Sequence, residues 1–169
     1  MPSVQIHPKE RERLDSCSER FRPMAWRLYR EINAMCATEN CAPLVVYGFR
    51  SASEQLAIWA HGRELIGPGV DIMHSSSWRL TADPSDKILT RAFPGQSAHN
   101  TGDAVDIALV EGVGTTRHWI IDPGVPGDRW HRIVGAAAKR LGLKWGGEFS
   151  FFDGAHVQHP EWTLSLRNG

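Results

Sequence analysis

The chain has 169 residues, 41% of them hydrophobic and 22% charged, which is the size and balance of one compact domain, residues 1–169. Nineteen basic residues offset nineteen acidic ones, so there is no overall field to hold a nucleic-acid backbone or an anionic membrane surface. No apolar run approaches the roughly 20 residues that cross a bilayer, and Met1 to Glu12 lacks the apolar stretch of a signal peptide.

Lys9 to Glu19 is densely charged with few apolar positions. Arg22-Pro23 then opens a segment with Ala25, Leu28, Ile32 and Met35 on one face, which predicts a helix from Pro23 to about Ala37. Its arginines read as a solvated face. Pro43 to Tyr47, ended by Gly48, reads as a strand, and Ser53 reads as the cap of a second helix running to about Gly62. From Gly67 to Thr90 the chain is rich in Gly, Pro, Ser and Asp without a sustained period, which predicts a long connection of the kind that is functional or mobile. Ala104 to Val110 reads as a strand, Arg129 to Leu141 as a helix ended by Gly142, and Ala155 to Gln158 as the start of a last strand. Helices alternating with short strands predict an α+β domain with a small, mainly antiparallel sheet. Cys17, Cys36 and Cys41 form no Cys-x-x-Cys pair and read as reduced, buried thiols, with a Cys36–Cys41 bridge as the alternative. The seven tryptophans read first as core, although a wide ring also suits a ligand groove.

The segment Gly95 to Asp106 carries a histidine, His99, and seven positions later a carboxylate entering a strand, Asp106. Alternation with Val105 and Ile107 sends the Asp106 side chain to the face opposite theirs, an odd place for a charge without a partner. Gly102 permits the tight turn that would bring the two together. Catalytic zinc takes three side-chain ligands, commonly His and carboxylate, and keeps a position for water. His156 offers a third ligand, and Asp153, three residues earlier, offers the base that an activated water needs. Alone, each histidine reads as a surface or hydrogen-bonded residue; the pattern is what points to metal.

Ser97-x-His99-x-x-Gly102-x-Ala104-x-Asp106, followed by Asp153-x-x-His156, resembles the D-alanyl-D-alanine carboxypeptidase and L-alanyl-D-glutamate endopeptidase family, which includes phage endolysins and shares its fold with lysostaphin-type peptidases and the hedgehog signalling domain. Tyr47-Gly48-Phe49-Arg50-Ser51 with Glu54-Gln55, and Leu141-Gly142-Leu143-Lys144-Trp145-Gly146-Gly147, resemble two further motifs of that family. The resemblance implies His99, Asp106 and His156 as zinc ligands, Asp153 as general base and Arg50 facing the scissile carbonyl. It also implies Ser97 beside the substrate and Trp145 walling the cleft, against the plainer readings that Ser97 shapes the loop and Trp145 fills core. Asp103 stands where the family has an apolar residue and reads as an exposed carboxylate at the strand entry, with a partner role toward a ligand as the alternative. Asp rather than Glu at position 153 resembles the phage endopeptidase branch.

The expectation is therefore a monomeric zinc peptidase cutting peptidoglycan stem peptides at the L-alanyl-D-glutamate bond, as a phage or prophage lysin made in the cytoplasm and acting on the wall after membrane breach. A D,D- or L,D-carboxypeptidase is the alternative within the same chemistry, with Arg63, Arg79 or Arg91 as possible partners for a terminal carboxylate. A non-catalytic zinc-binding module is the alternative of another class.

Overall fold

The computed structural model describes residues 6–82, 87–111, 118–120 and 126–165, arranged around a small antiparallel sheet. Strand β4 (Ala104–Glu111) is central to it; β1 (Ala42–Tyr47) and β7 (His156–Gln158) both pair with β4. Strand β6 (Lys144–Trp145) continues beyond β7, and β5 (His118–Trp119) pairs with the end of β4. Val105, Ile107 and Leu109 are fully buried and pack in one cluster with Ala25, Leu28 and Ile32 of helix α2 (Arg22–Cys36). The strand's period of two therefore sends Asp106 to the other face, as the alternation predicts.

The first helix, α1 (Pro8–Asp15), was not legible in the charged segment that forms it. Two of its charges, Glu10 and Arg13, bind backbone. Arg13 Nη1 donates to the Val45 carbonyl at 2.6 Å, and Glu10 accepts from the Val45 N–H at 3.1 Å. The ladder between β1 and β4 shifts register between Val45 and Tyr47, so α1 satisfies the strand where its pairing is irregular. Gly48 lets the chain pass close beneath α1, because a Cβ there would stand 1.9 Å from the Arg13 carbonyl oxygen.

Helix α3 (Ala52–Trp59) is capped by Ser51, not Ser53: the Ser51 side chain accepts from the Glu54 N–H while the Glu54 carboxylate accepts from the Ser51 N–H. This reciprocal pair satisfies two donors at once, which a cap at Ser53 could not. The long connection is also less irregular than the sequence suggests. Its β3 (Trp78–Leu80) forms a hairpin with β2 (Arg63–Leu65), which lies just before the connection, with a 3-10 turn at Ser75–Ser77; residues 83–86 of it lie outside the described residues. Three-residue strands are too short to show alternation, but Glu64 faces Arg79 and accepts from its Nε at 2.9 Å.

The predicted third helix is a π-helical stretch, Trp130–Gly135, running into α4 (Ala136–Arg140) and ended by Gly142 at φ +67. Gly135 sits against Trp145, whose ring a Cβ would meet at 2.7 Å. A short last helix, α5 (Trp162–Ser165), follows β7. Cys17, Cys36 and Cys41 are free thiols, and burial pushes Cys17 up to about 12. No helix among the described residues is long and apolar enough to cross a membrane.

Candidate metal centre

The register of the sheet brings the site together. Asp106 on β4 lies directly opposite His156 on β7 and opposite Tyr47 on β1. His99 arrives from a 3-10 turn, Ala98–Thr101, that closes through Gly102 at φ +72 in the left-handed region. Glycine is required there twice over, since a Cβ would also approach the Ser18 nitrogen to 2.7 Å. The Arg50 N–H donates to the His99 carbonyl at 3.0 Å, tying this turn to the segment after β1.

His99 Nε2, Asp106 Oδ1 and His156 Nδ1 form a triangle with edges of 3.1, 3.1 and 3.2 Å. Both histidines are buried, and their other nitrogens are engaged: His99 Nδ1–H donates to the Gly48 carbonyl at 2.7 Å and His156 Nε2–H donates to Gln158 Oε1 at 2.9 Å. Those bonds fix both tautomers, so three lone-pair-bearing atoms face one another away from water. That arrangement is repulsive unless a cation lies among them. Zinc with ligands at about 2.0–2.1 Å in a tetrahedron spaces its ligand atoms by about 3.3 Å, so the donor set and its dimensions fit such an ion. It is the group of His, Cys, Asp and Glu side chains among the described residues that could hold a metal.

Burial raises the Asp106 carboxyl, and positive charge beside it, whether protons on His99 and His156 or a cation in their place, holds it well below the usual carboxylate range. Its second oxygen faces Arg50 Nη2 at 3.4 Å. Arg50 is 8% exposed; its guanidinium lies 4.5 Å from the centre of the Tyr47 ring and donates from Nη1 to Gln55 at 3.0 Å. Asp153 lines the same cleft; desolvation there, followed by the negative charge of Asp106, raises its pKa. This is the direction a carboxylate needs to take up a proton near neutrality.

The cleft has a volume of about 820 Å³. Its walls include Tyr47, Phe149, Phe151 and Trp162 together with Ile88 to Ala92, the end of the long connection. Ser97 also lines it, but its hydroxyl is used locally, accepting from the His99 N–H. Trp145 takes the core reading and does not wall the cleft: it is 4% exposed, donates from Nε1 to the Gly154 carbonyl at 2.8 Å, and supports the turn that carries Asp153 and His156. Of the tryptophans, Trp162 is the one among the described residues that reaches the cleft.

Asp103 is fully buried, contrary to the exposed reading. It accepts from Ser18 Oγ, Arg20 Nε and Nη2, and Thr101 Oγ1, at 2.7 to 3.0 Å. These bonds tie it to the loop before α2 and to the turn that carries His99. Sequence reasoning also missed Gln158, whose position two residues after His156 on one strand was a usable signal, and Phe149 and Phe151, which are exposed beside the site.

The fold and the arrangement of the site are similar to those of the D-alanyl-D-alanine carboxypeptidase and L-alanyl-D-glutamate endopeptidase family of metallopeptidases, and comparisons with known proteins point the same way. A family profile described as D-alanyl-D-alanine carboxypeptidase matches residues 91–159, which include His99, Asp106, Asp153 and His156. The chain is 29% identical over 133 residues to the peptidoglycan L-alanyl-D-glutamate endopeptidase CwlK of Bacillus subtilis (strain 168), a match covering 75% of this chain and 66% of that relative, just under two thirds of its length. The crystal structure of the Serratia marcescens L-Ala D-Glu endopeptidase ChiX superposes with a TM-score of 0.52 at 20% identity, covering 96% of this chain and 95% of that one, a likeness of fold.

Proposed function

We propose that the chain is a single zinc-dependent peptidase domain that cleaves peptidoglycan stem peptides at the L-alanyl-D-glutamate bond. The observation that carries this reading is the buried triangle of His99, Asp106 and His156 open to a cleft that also holds Asp153 and Arg50. CwlK and ChiX, both described as endopeptidases for that bond, support the choice of bond. A purely structural metal would need neither a carboxylate of raised pKa nor a guanidinium beside it, which weighs against the non-catalytic module.

Zinc held by the three side chains supplies a lowered pKa for a water molecule and polarisation of the scissile carbonyl. Asp153 accepts the proton of the attacking water at its carboxylate and returns it to the leaving amine nitrogen. Arg50, fixed by Gln55 and Tyr47, presents its guanidinium toward the carbonyl oxygen as negative charge develops there. Tyr47, Phe149 and Phe151 offer apolar surface to the peptide, and Ser97 stands beside it. The biological setting proposed is that of a monomeric phage or prophage lysin acting on the wall.

The test is mass spectrometry of products from purified sacculi and from a soluble stem pentapeptide. The expected product carries a free L-alanine carboxyl and a new D-glutamate amine, and its formation stops on chelation. Release of D-alanine alone supports the carboxypeptidase instead; no metal-dependent product from either substrate supports the binding module.

A further inference from the structure

Charge is unevenly matched in the cleft. Asp106 and Asp153 bring two carboxylates, and Arg50 is already engaged by Asp106 and Gln55. Arg91 is exposed, lines the same cleft, and among the described residues has no hydrogen bond or ion pair. The other two arginines in or near the long connection are spent elsewhere. Arg63 stacks 4.1 Å from the centre of the Trp59 ring and donates to the carbonyls of Trp59 and Thr90, while Arg79 pairs with Glu64. Neither lines the cleft.

The backbone on both sides of Arg91 is anchored. Thr90 accepts through its carbonyl from Arg63 at 3.2 Å, and the Ala92 N–H donates to Thr90 Oγ1 at 3.2 Å. Gln55, fully buried, donates from Nε2 to the Ala92 carbonyl at 2.7 Å while its Oε1 accepts from Arg50 Nη1. One buried amide thus ties the wall that bears Arg91 to the guanidinium beside the metal centre. A free cation on a pinned backbone has lost part of the freedom it would otherwise lose on binding an anion.

Resting on the proposed function, a glutamyl residue follows the scissile bond. Joined to the chain through one of its two carboxyls, it keeps the other as a free carboxylate close to the reacting nitrogen. With Asp106 taken up by the metal centre and Arg50, the carboxylate left in the cleft is Asp153, which would repel that charge unless a cation received it. We propose that Arg91 is a specificity residue that binds the free carboxylate of the acidic residue on the leaving side of the scissile bond, its planar fork matching the carboxylate's two oxygens.

The experiment compares kcat/KM of the zinc-loaded wild type, Arg91→Ala and Arg91→Lys on paired peptides. One pair differs only in that carboxylate, D-glutamate against its amide; a second pair ends in D-Ala-D-Ala with a free or amidated C-terminus. The wild type is expected to favour the acid over the amide by about tenfold or more, the scale of hydrogen bonds to a charged group. Arg91→Ala should bring that ratio close to one with the loss falling on the acid peptide, and Arg91→Lys should restore part of it. An unmoved acid-to-amide ratio overturns the proposal and leaves the peptidase reading standing. A change seen only between the free and amidated C-termini overturns the leaving-side assignment in favour of a terminal carboxylate. Failure of the wild type on every peptide overturns the proposed function, and the role of Arg91 with it. Arg91 is exposed, so thermal unfolding of both variants is expected to match the wild type.

Discussion

His99 and His156 each spend one ring nitrogen on the protein, which is what makes the other available to a cation. The three candidate ligands were legible because ligand chemistry restricts residue types and the intervals were suggestive; their supporting partners were not. The Gly48 carbonyl is backbone and leaves no mark in the sequence, and Gln158 looks like any polar residue at the end of a strand. Asp153 was legible through its neighbour His156, and the structure adds its cleft position and the direction of its pKa. Asp153→Asn preserves shape and removes the proton acceptor without removing a ligand. It is expected to retain metal and to lower the hydrolytic rate by about a hundredfold or more, the usual scale for a general base. Digestion of purified peptidoglycan followed by dye release checks this, and a wild-type rate would remove Asp153 from the mechanism.

At the scale of elements, strand β4 and helix α2 follow from apolar periodicity, and both lie within a residue of their expected ends. Periodicity fails where polar groups do the structural work. Helix α1 holds β1 through Glu10 and Arg13, so its charged sequence hides its contacts. Asp103 failed as a surface residue for the same reason: its partners Ser18 and Arg20 come from a loop far away in sequence, and only the closed fold brings them near. The side chain of Arg20 is 38% exposed and that of Asp103 1%. Removing Asp103 therefore leaves a cation that water can solvate and takes one partner each from the half-buried hydroxyls of Ser18 and Thr101, which keep their backbone partners at Phe21 and Ala98. Asp103→Ala is expected to cost about 2–3 kcal/mol, below the 3–5 typical of stranding a fully buried charge. A lowered urea midpoint with unchanged m-value would show it; an unchanged midpoint would mean that the network contributes nothing net.

Across the whole molecule, the site depends on three separate stretches of chain meeting: the turn after β1 with Arg50, the loop and strand from Ser97 to Asp106, and the turn and strand from Asp153 to Gln158. The sequence carried their order but not the wall opposite, because the long connection lacks a period that would reveal its hairpin or the approach of Ile88 to Ala92 to the metal centre. Tethering by Gln55 and Arg63 makes that wall part of the site. His99, Asp106 and His156 are proposed to form one metal centre. Its most direct test is elemental analysis, with native mass spectrometry, of dialysed wild type, His99→Ala and His156→Ala. The wild type is expected to hold about one zinc per chain and both variants to lose most of it; full occupancy retained in both variants would contradict the account.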